Sequence, residues 1–409
     1  MQQENLTKRL SDTDLDTGWM LTGERETAEL VKALNIYKDY CGHSFSIGLK
    51  PLYLPDAITT LGTFLQNFIE TLPAAWDLGL RNFPYFNLTP LETHLNQVGA
   101  SRTPSFMRVD FTMVAGTPKI FEIEHNPGCL GLVTALQKAW GSELTLADVY
   151  RTYISNNPNF LLTKIDLDYQ DARFFAHEVC GNADQVYLLN EFNQQLFKGD
   201  SIHVHRCFDP LLIESDTDSP LSIYSEVLLK AWEADYLSIE PHPTSLMSKL
   251  GLASIFSEPS IWERAGLNLE LASSIIPEMR PISDFGEDIP ERKQSVIKVV
   301  TPDQSYGSKG VKVGLYQRAT KWLNFVHEIR ANQTPAVVQR YVEHQKAVLP
   351  FIDEYSSTNQ EEFDILYRAF FIKNNKTLVF GGGYYLGCIT SSKCGKISGR
   401  SGVFGLVYC

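Results

Sequence analysis

The stretch RVDFTMVAGTPKIFEIEHNPG, residues 108–128, places three acids and an asparagine inside two short apolar runs. Side chains of a strand alternate between two faces. Met107, Val109, Phe111 and Met113 therefore share one face, with Arg108, Asp110 and Thr112 on the other. The second run repeats the arrangement: Phe121 and Ile123 are apolar, while Glu122, Glu124 and Asn126 share the opposite face. The alternation predicts two half-solvated strands. Gly116, Thr117 and Pro118 between them are turn formers, so the pair reads as a β-hairpin. A loop centred on Thr117 sets Asp110 opposite Glu124 and Arg108 opposite Asn126.

Carboxylates brought together from two strands repel unless something positive sits between them. Hard oxygen ligands of this kind suit Mg²⁺, which favours carboxylates together with substrate phosphates. A solvent-facing hairpin with a few surface ion pairs satisfies the same pattern, so the choice rests on the remainder of the chain.

That remainder is long enough, at 409 residues, for two or three domains and a substantial core. A 44% hydrophobic and 21% charged composition is that of a folded globular protein. The net charge of -12 argues against broad binding to nucleic acid or to an anionic membrane, since either calls for a basic surface. The opening MQQENLTKRLSDTDLD is too polar for a signal peptide, and no apolar run is long enough to span a bilayer, so the cytoplasm is the expected location. Seven cysteines, at 41, 129, 180, 207, 388, 394 and 409, show no zinc-type pairing, and most read as small buried hydrophobes, while the sequence does not explain Cys409. Cys129 stands beside the acidic strand and is the one with a chance of chemistry.

Helical periodicity runs through AELVKALNIYKDY and ITTLGTFLQNFIETL ahead of the hairpin, and GLVTALQKAW predicts a helix after it. Residues 1–160 thus form a helical region carrying the acidic hairpin. Residues 161–285 alternate short strands and helices, the pattern of a small Rossmann-like α/β unit, and end on IEPHPTSLMSKLGLASIF, a loop running into a helix. Residues 286–409 are rich in strands, interrupted by the helix ATKWLNFVHEIRAN.

A second polar constellation lies in VIKVVTPDQSYGSKGVKVG. Lys298 occupies the middle of an apolar strand, where an ammonium is costly unless it meets an anion or escapes to water. The loop that follows carries Gly307, Ser308, Lys309 and Gly310, whose backbone N–H groups and lysine are suited to cradling phosphates. A plain glycine-bearing turn fits as well, and the Walker spacing is absent. Next, AVVQRYVEH ends an apolar strand in Gln339, Arg340, Tyr341, Val342 and Glu343. An adenine ring needs an apolar slot with backbone donors and acceptors at its edge, which such a strand exit supplies, and Glu343 can accept from ribose hydroxyls. An exposed edge strand is the alternative. Arg368, inside the apolar run LYRAFFI, calls for an anion, either structural or a phosphate.

The order and character of these pieces resemble the ATP-grasp superfamily, in which a strand lysine, a glycine-rich loop, an adenine hinge and an Asp…Glu-x-Asn metal set hold Mg-ATP between two lobes. Here Asp110 and Glu124-His-Asn126 precede Lys298, the 307–310 loop and Gln339–Glu343, a reversal that is similar to the circularly permuted branch containing glutathionylspermidine synthetase-like proteins. The resemblance implies an α+β, α/β fold with permuted element order, antiparallel sheets flanked by helices, and a small pre-ATP-grasp-like α/β domain, with 286–409 as the nucleotide-binding lobe. It implies ATP and Mg²⁺ as cofactors, with the metal on Asp110, Glu124 and Asn126. Lys298, Gly307, Ser308, Lys309, Gly310, Gln339, Tyr341, Val342 and Glu343 would bind the nucleotide. Arg108 and Arg368 would steady the transferred phosphoryl group. Glu122 and Glu124 both remain open as the metal ligand, and Ser308 stands where many relatives carry another glycine. The implied activity is amide or peptide bond formation between a small-molecule or peptide carboxylate and an amine, with ADP released. A nucleotide-binding module without ligase chemistry and a metal-dependent hydrolase are the alternatives, and the hydrolase gives Lys298 no task. The substrates and the oligomeric state are open.

Overall fold

The computed structural model describes residues 24–41, 45–83, 86, 90–102, 104–124, 127–162, 169–181, 185–188, 201–204, 230–234, 236, 238–240, 246–247, 249–300, 310–353, 357–389 and 402–409. The described residues begin with helix α1 (Glu24–Cys41), strands β1 (Ser46–Gly48) and β2 (Leu52–Tyr53), and helices α2 (Pro55–Leu78) and α3 (Pro90–Gly99). The acid-bearing run forms β3 (Phe106–Val114) and β4 (Thr117–Glu124), followed by α4 (Leu130–Ala139) and α5 (Leu146–Tyr153). A small unit comes next: β5 (Pro158–Leu162), α6 (Tyr169–Cys180), β6 (Val186–Leu188), β7 (Ser201–Val204) and β8 (Ser238–Glu240). Helices α7 (Lys249–Ser257), α8 (Pro259–Ala265) and α9 (Leu269–Ile275) lead to β9 (Met279–Pro281), β10 (Ser295–Val299), β11 (Val311–Val313), α10 (Ala319–Ala331) and β12 (Ala336–Arg340). Four strands close the chain: β13 (Gln345–Ile352), β14 (Thr358–Asn374), β15 (Thr377–Ile389) and β16 (Val403–Tyr408).

These elements make a mixed α+β architecture with three sheets. The eight-stranded sheet runs β13-β1-β16-β15-β14-β3-β4, with β2 paired to β16. Because β13 also pairs with β14, the strands β14, β15, β16, β1 and β13 close on themselves, and β3 and β4 extend from β14. Inside the closure Tyr385 is fully buried and its hydroxyl donates to the Lys50 carbonyl at 3.0 Å. A Cβ on Gly48 or Gly405 would come within 1.9 or 2.1 Å of that side chain, so both positions demand glycine. A second, four-stranded antiparallel sheet runs β11-β10-β12-β9 and packs on α10 through Ile297, Val299, Val338, Trp322 and Val326. The third, β6-β5-β7-β8, is parallel throughout, as the alternating strand and helix pattern of that segment predicts.

One apolar core joins α2, α7 and α8 to the face of β3 that carries Met107, Val109 and Phe111. Another joins α1, α4, α5 and α6 to the opposite face of the large sheet, through Phe106, Leu366, Phe370 and Tyr384. With both faces covered, β3 is buried from Phe106 to Thr112, and the half-solvated strand expected from its alternation is corrected to a central one. Among the described residues no helix is long and apolar enough to cross a membrane.

Candidate active site

The acidic hairpin turns at Ala115 and Gly116, both left-handed with φ of 48° and 82°, rather than at Thr117. Its register differs accordingly from the expected one: Arg108 faces Glu124 and Asp110 faces Glu122. Two positive-φ residues give the twist that a two-residue hairpin loop requires. Between the Phe111–Ile120 and Asp110–Glu122 pairs one extra residue, Phe121, forms a bulge. Glu122 and Glu124 remain on one face, with Arg108 and Asp110 directly across from them.

Strand β14 continues the row. Arg368 pairs with Asp110 on one side and with Tyr384 of β15 on the other. Side chains along this row alternate in charge. Glu124 accepts from Arg108 Nη2 at 2.7 Å, and Arg108 grips Asp110 through Nε at 2.6 Å and Nη2 at 3.1 Å. Asp110 Oδ2 also accepts from Arg368 Nε at 3.1 Å, and Arg368 Nη1 donates to the Tyr384 hydroxyl at 2.5 Å. The positive charge between the carboxylates is therefore an arginine. Burial pushes the Asp110 carboxyl up, but Arg108 and Arg368 together outweigh it and hold the group below the usual carboxylate range. At Glu124 burial prevails, with Glu122 and Asp110 adding to it, and the carboxyl is raised despite Arg108.

The second sheet reaches this row through Lys298. On β10 it stands across from Val337 of β12 and Val311 of β11, and its ammonium donates to the Phe121 carbonyl at 2.7 Å. A bulge releases a backbone group from the ladder, and here the released carbonyl receives the lysine of the other sheet. Burial lowers the Lys298 ammonium to about 8, an effect that Glu122 opposes and nearby Lys249 reinforces. Lys249, the first residue of α7, is itself 6% exposed and lies 3.8 Å from Glu122. Sequence reasoning missed Lys249, because a lysine leading an apolar helix ordinarily reads as solvated. It missed Tyr384 as well, whose only signal was its place in a glycine-rich strand.

Gln339 lies on the same face of the second sheet as Lys298, two pairs along, opposite Val296. It is 2% exposed and its Nε2 has no hydrogen-bond partner among the described residues. The segment 341–344 carries the chain from β12 of the second sheet into β13 of the first. There Tyr341 and Val342 are half-buried and Glu343 is exposed. The Tyr341 N–H donates to the Gln294 carbonyl at 2.7 Å, and its hydroxyl lies 3.5 Å from that of Tyr316. None of these three side chains makes a hydrogen bond or ion pair with the ionic row among the described residues. Gly310 is buried and its carbonyl accepts from the Val299 N–H at 2.9 Å. Asn126, Gly307, Ser308 and Lys309 lie outside the described residues.

The donor set can be tested against Mg²⁺. Asp110 offers it little, since both oxygens accept from guanidinium groups and the side chain is only 8% exposed. Glu122 and Glu124 suit it better: they are neighbours on one face, with side chains 24% and 32% exposed. No group of three or more His, Cys, Asp or Glu among the described residues is arranged to hold a metal ion. The charge balance points to an anion. Among the described residues Arg108, Arg368, Lys249 and Lys298 face Asp110, Glu122 and Glu124, which leaves one positive charge over. An acceptor-rich ligand would complement this set of cations and the Gln339 amide.

No known family and no curated protein matches the sequence. Solved structures do match. A glutathione synthetase-like effector from Globodera pallida, in its apo form, aligns with 93% of this chain over 96% of its own, at 9% identity and a TM-score of 0.52. A protein assigned as a gamma-glutamylcysteine synthetase, from Methylobacillus flagellatus KT, aligns with 89% of this chain over 90% of its own, at 10% identity and a TM-score of 0.34. The first likeness is one of fold alone, and the second is too loose in superposition to support any inference.

Proposed function

We propose that this chain is an ATP- and Mg²⁺-dependent carboxylate–amine ligase of the ATP-grasp type, in the circularly permuted arrangement. The observation that carries the reading is the 2.7 Å contact of Lys298 with Phe121, which brings the lysine strand against the acidic hairpin although 177 residues separate them. A fold shared with a glutathione synthetase-like protein agrees with it.

In this reading the nucleotide lies between the two sheets. Lys298 and Lys249 neutralise phosphate oxygens, joined by the 307–310 loop with Lys309. Gln339 and the connector Tyr341–Val342–Glu343 seat the adenosine. Glu124, with Asn126, would hold the divalent ion, which would supply positive charge to offset that of the phosphates. A carboxylate oxygen of the acid substrate attacks the γ-phosphorus, the bond from that phosphorus to the β–γ bridging oxygen breaks, and ADP departs. The amine nitrogen then attacks the carbonyl carbon of the acyl phosphate, inorganic phosphate leaves with the C–O bond pair, and the nitrogen sheds a proton. Little covalent work falls to the protein: it aligns the reactants, places cations where charge builds up and keeps water from the acyl phosphate. The lobes at 1–160, 161–285 and 286–409, the cytoplasmic location and a small-molecule or peptide substrate pair belong to the same proposal.

Isothermal titration with Mg-ATP, followed by an ADP-release screen against pooled amino acids, polyamines and peptides, tests it. Binding by the native chain and its loss in Lys298→Ala are expected. A native chain that binds no ATP at millimolar Mg²⁺ sinks the reading.

A further inference from the structure

The two arginines of the ionic row differ in what they have left to offer. A guanidinium carries five N–H donors. Arg108 directs one at Asp110 Oδ1, two from Nη2 at Asp110 Oδ2 and Glu124, and one at the Gly128 carbonyl at 3.4 Å. Its side chain is 4% exposed. Arg368 directs only Nε at Asp110 and Nη1 at Tyr384, and its side chain is 20% exposed. Its Nη2 makes no hydrogen bond or ion pair with the described residues. Arg368 is therefore the open end of a chain of alternating charge, and Arg108 the closed one.

Resting on the ligase reading, we infer that Asp110 is a positioning residue and not a metal ligand: with Arg108 as its counterion, it holds Arg368 edge-on so that Nη2 receives an oxyanion of the phosphoryl or carboxylate class. Three charge-assisted bonds fix the Asp110 carboxylate. Of its four lone pairs only one, on Oδ1, is unclaimed by the described residues, and a cation drawn to it would stand beside the Arg108 Nε that already holds that oxygen, on a side chain 8% exposed. The Tyr384 hydroxyl supports Arg368 from the other side, and the Arg368 guanidinium carbon lies 5.6 Å from the Tyr384 ring centroid. The side chain is thus held on both flanks, and its orientation is set before any ligand arrives.

The test separates metal from anion. Mn²⁺ binding, followed by electron paramagnetic resonance with each variant saturated by the nonhydrolysable ATP analogue AMP-PNP, is expected to stay within about twofold of the native chain in Asp110→Asn, whereas binding of inorganic phosphate weakens by at least about tenfold. Arg368→Lys, which keeps the charge but loses the fork, is expected to weaken phosphate similarly with Mn²⁺ unchanged. The double variant is expected to fall no further than either single one, because both act on one guanidinium. If Asp110→Asn does not fold, Asp110→Glu decides: the longer carboxylate displaces Arg368, so phosphate weakens while Mn²⁺ binding persists. A loss of Mn²⁺ affinity of about tenfold or more in either Asp110 variant overturns the inference, as does full additivity in the double variant. A native chain that fails to bind AMP-PNP overturns the ligase reading instead.

Discussion

Among single residues, Lys298 gives the clearest pH signature. Its ammonium titrates near 8 in the fold, against 10.5 ordinarily, because burial disfavours the charged form. The folded chain therefore prefers a neutral lysine. Lys298 costs stability below pH 8, and that cost is relieved as pH rises from about 8 towards 10.5. Ligand binding should run the other way, since phosphate oxygens need the ammonium. Affinity for Mg-ATP is expected to decline by up to about tenfold per pH unit above the titration point, with roughly a tenth of the lysine still charged one unit above it. Lys298→Arg stays charged at any accessible pH and is expected to abolish the breakpoint in calorimetric titrations across that range. The sequence revealed this residue because a lysine in an apolar strand contradicts its neighbours. Lys249 contradicts nothing, since at a helix start it has solvent on offer, and only the packing of α7 against β4 shows otherwise. The sequence cue at Asp110 was sound in chemistry, a buried acid that needs a cation, but two arginines from strands far apart in the chain had equal claim to that place.

At the scale of elements, the alternation in 106–124 disclosed two strands and which residues share a face, while the register depended on a detail that composition hides. Gly116-Thr117-Pro118 is the stronger turn signal, yet the loop is Ala115-Gly116, with alanine accepting a left-handed conformation that few residues other than glycine adopt. The Phe121 bulge then adds a residue that no periodicity announces. Glycines in β15 and β16 are legible only once the strand closure is known. Gly405→Ala would set a Cβ 2.1 Å from the Tyr385 ring, in a ring of strands with no free edge to yield, and is expected to cost about 3 kcal/mol in urea unfolding. Thr145 caps α5 in a reciprocal pair with Asp148, each side chain receiving the other's backbone N–H. Thr145→Ala should cost about 1 kcal/mol by the same measurement and leave nucleotide binding untouched, because α5 packs behind the large sheet.

For the whole molecule, the site exists only because distant segments meet. Strand β14 brings Arg368 to Asp110, and the antiparallel sheet built on β10 and β12 brings Lys298 to β4. Chemistry was visible in each segment separately, whereas their meeting depended on sheet order, which local sequence does not encode. Among the described residues, the covalent passage 341–344 and the Lys298–Phe121 hydrogen bond tie the sheets near the site. His344 sits in that passage with its ring centroid 5.1 Å from the Phe121 ring, so the covalent link and the bulge pack on each other. A ligand that lies between the sheets adds a third link, and its effect on stability follows from mass action. At a concentration about 100 times its dissociation constant, Mg-ATP should stabilise the folded chain by about 2.7 kcal/mol. Amides of β4, β10 and β12 should then gain hydrogen-exchange protection together, since closing one cleft protects both of its walls. In Lys298→Ala the joint gain should vanish, because in the proposed reading the cation that meets the bulge carbonyl also meets the phosphates. Protection confined to β10 and β12 would place the nucleotide on the second sheet alone, with the acidic hairpin left to some other ligand.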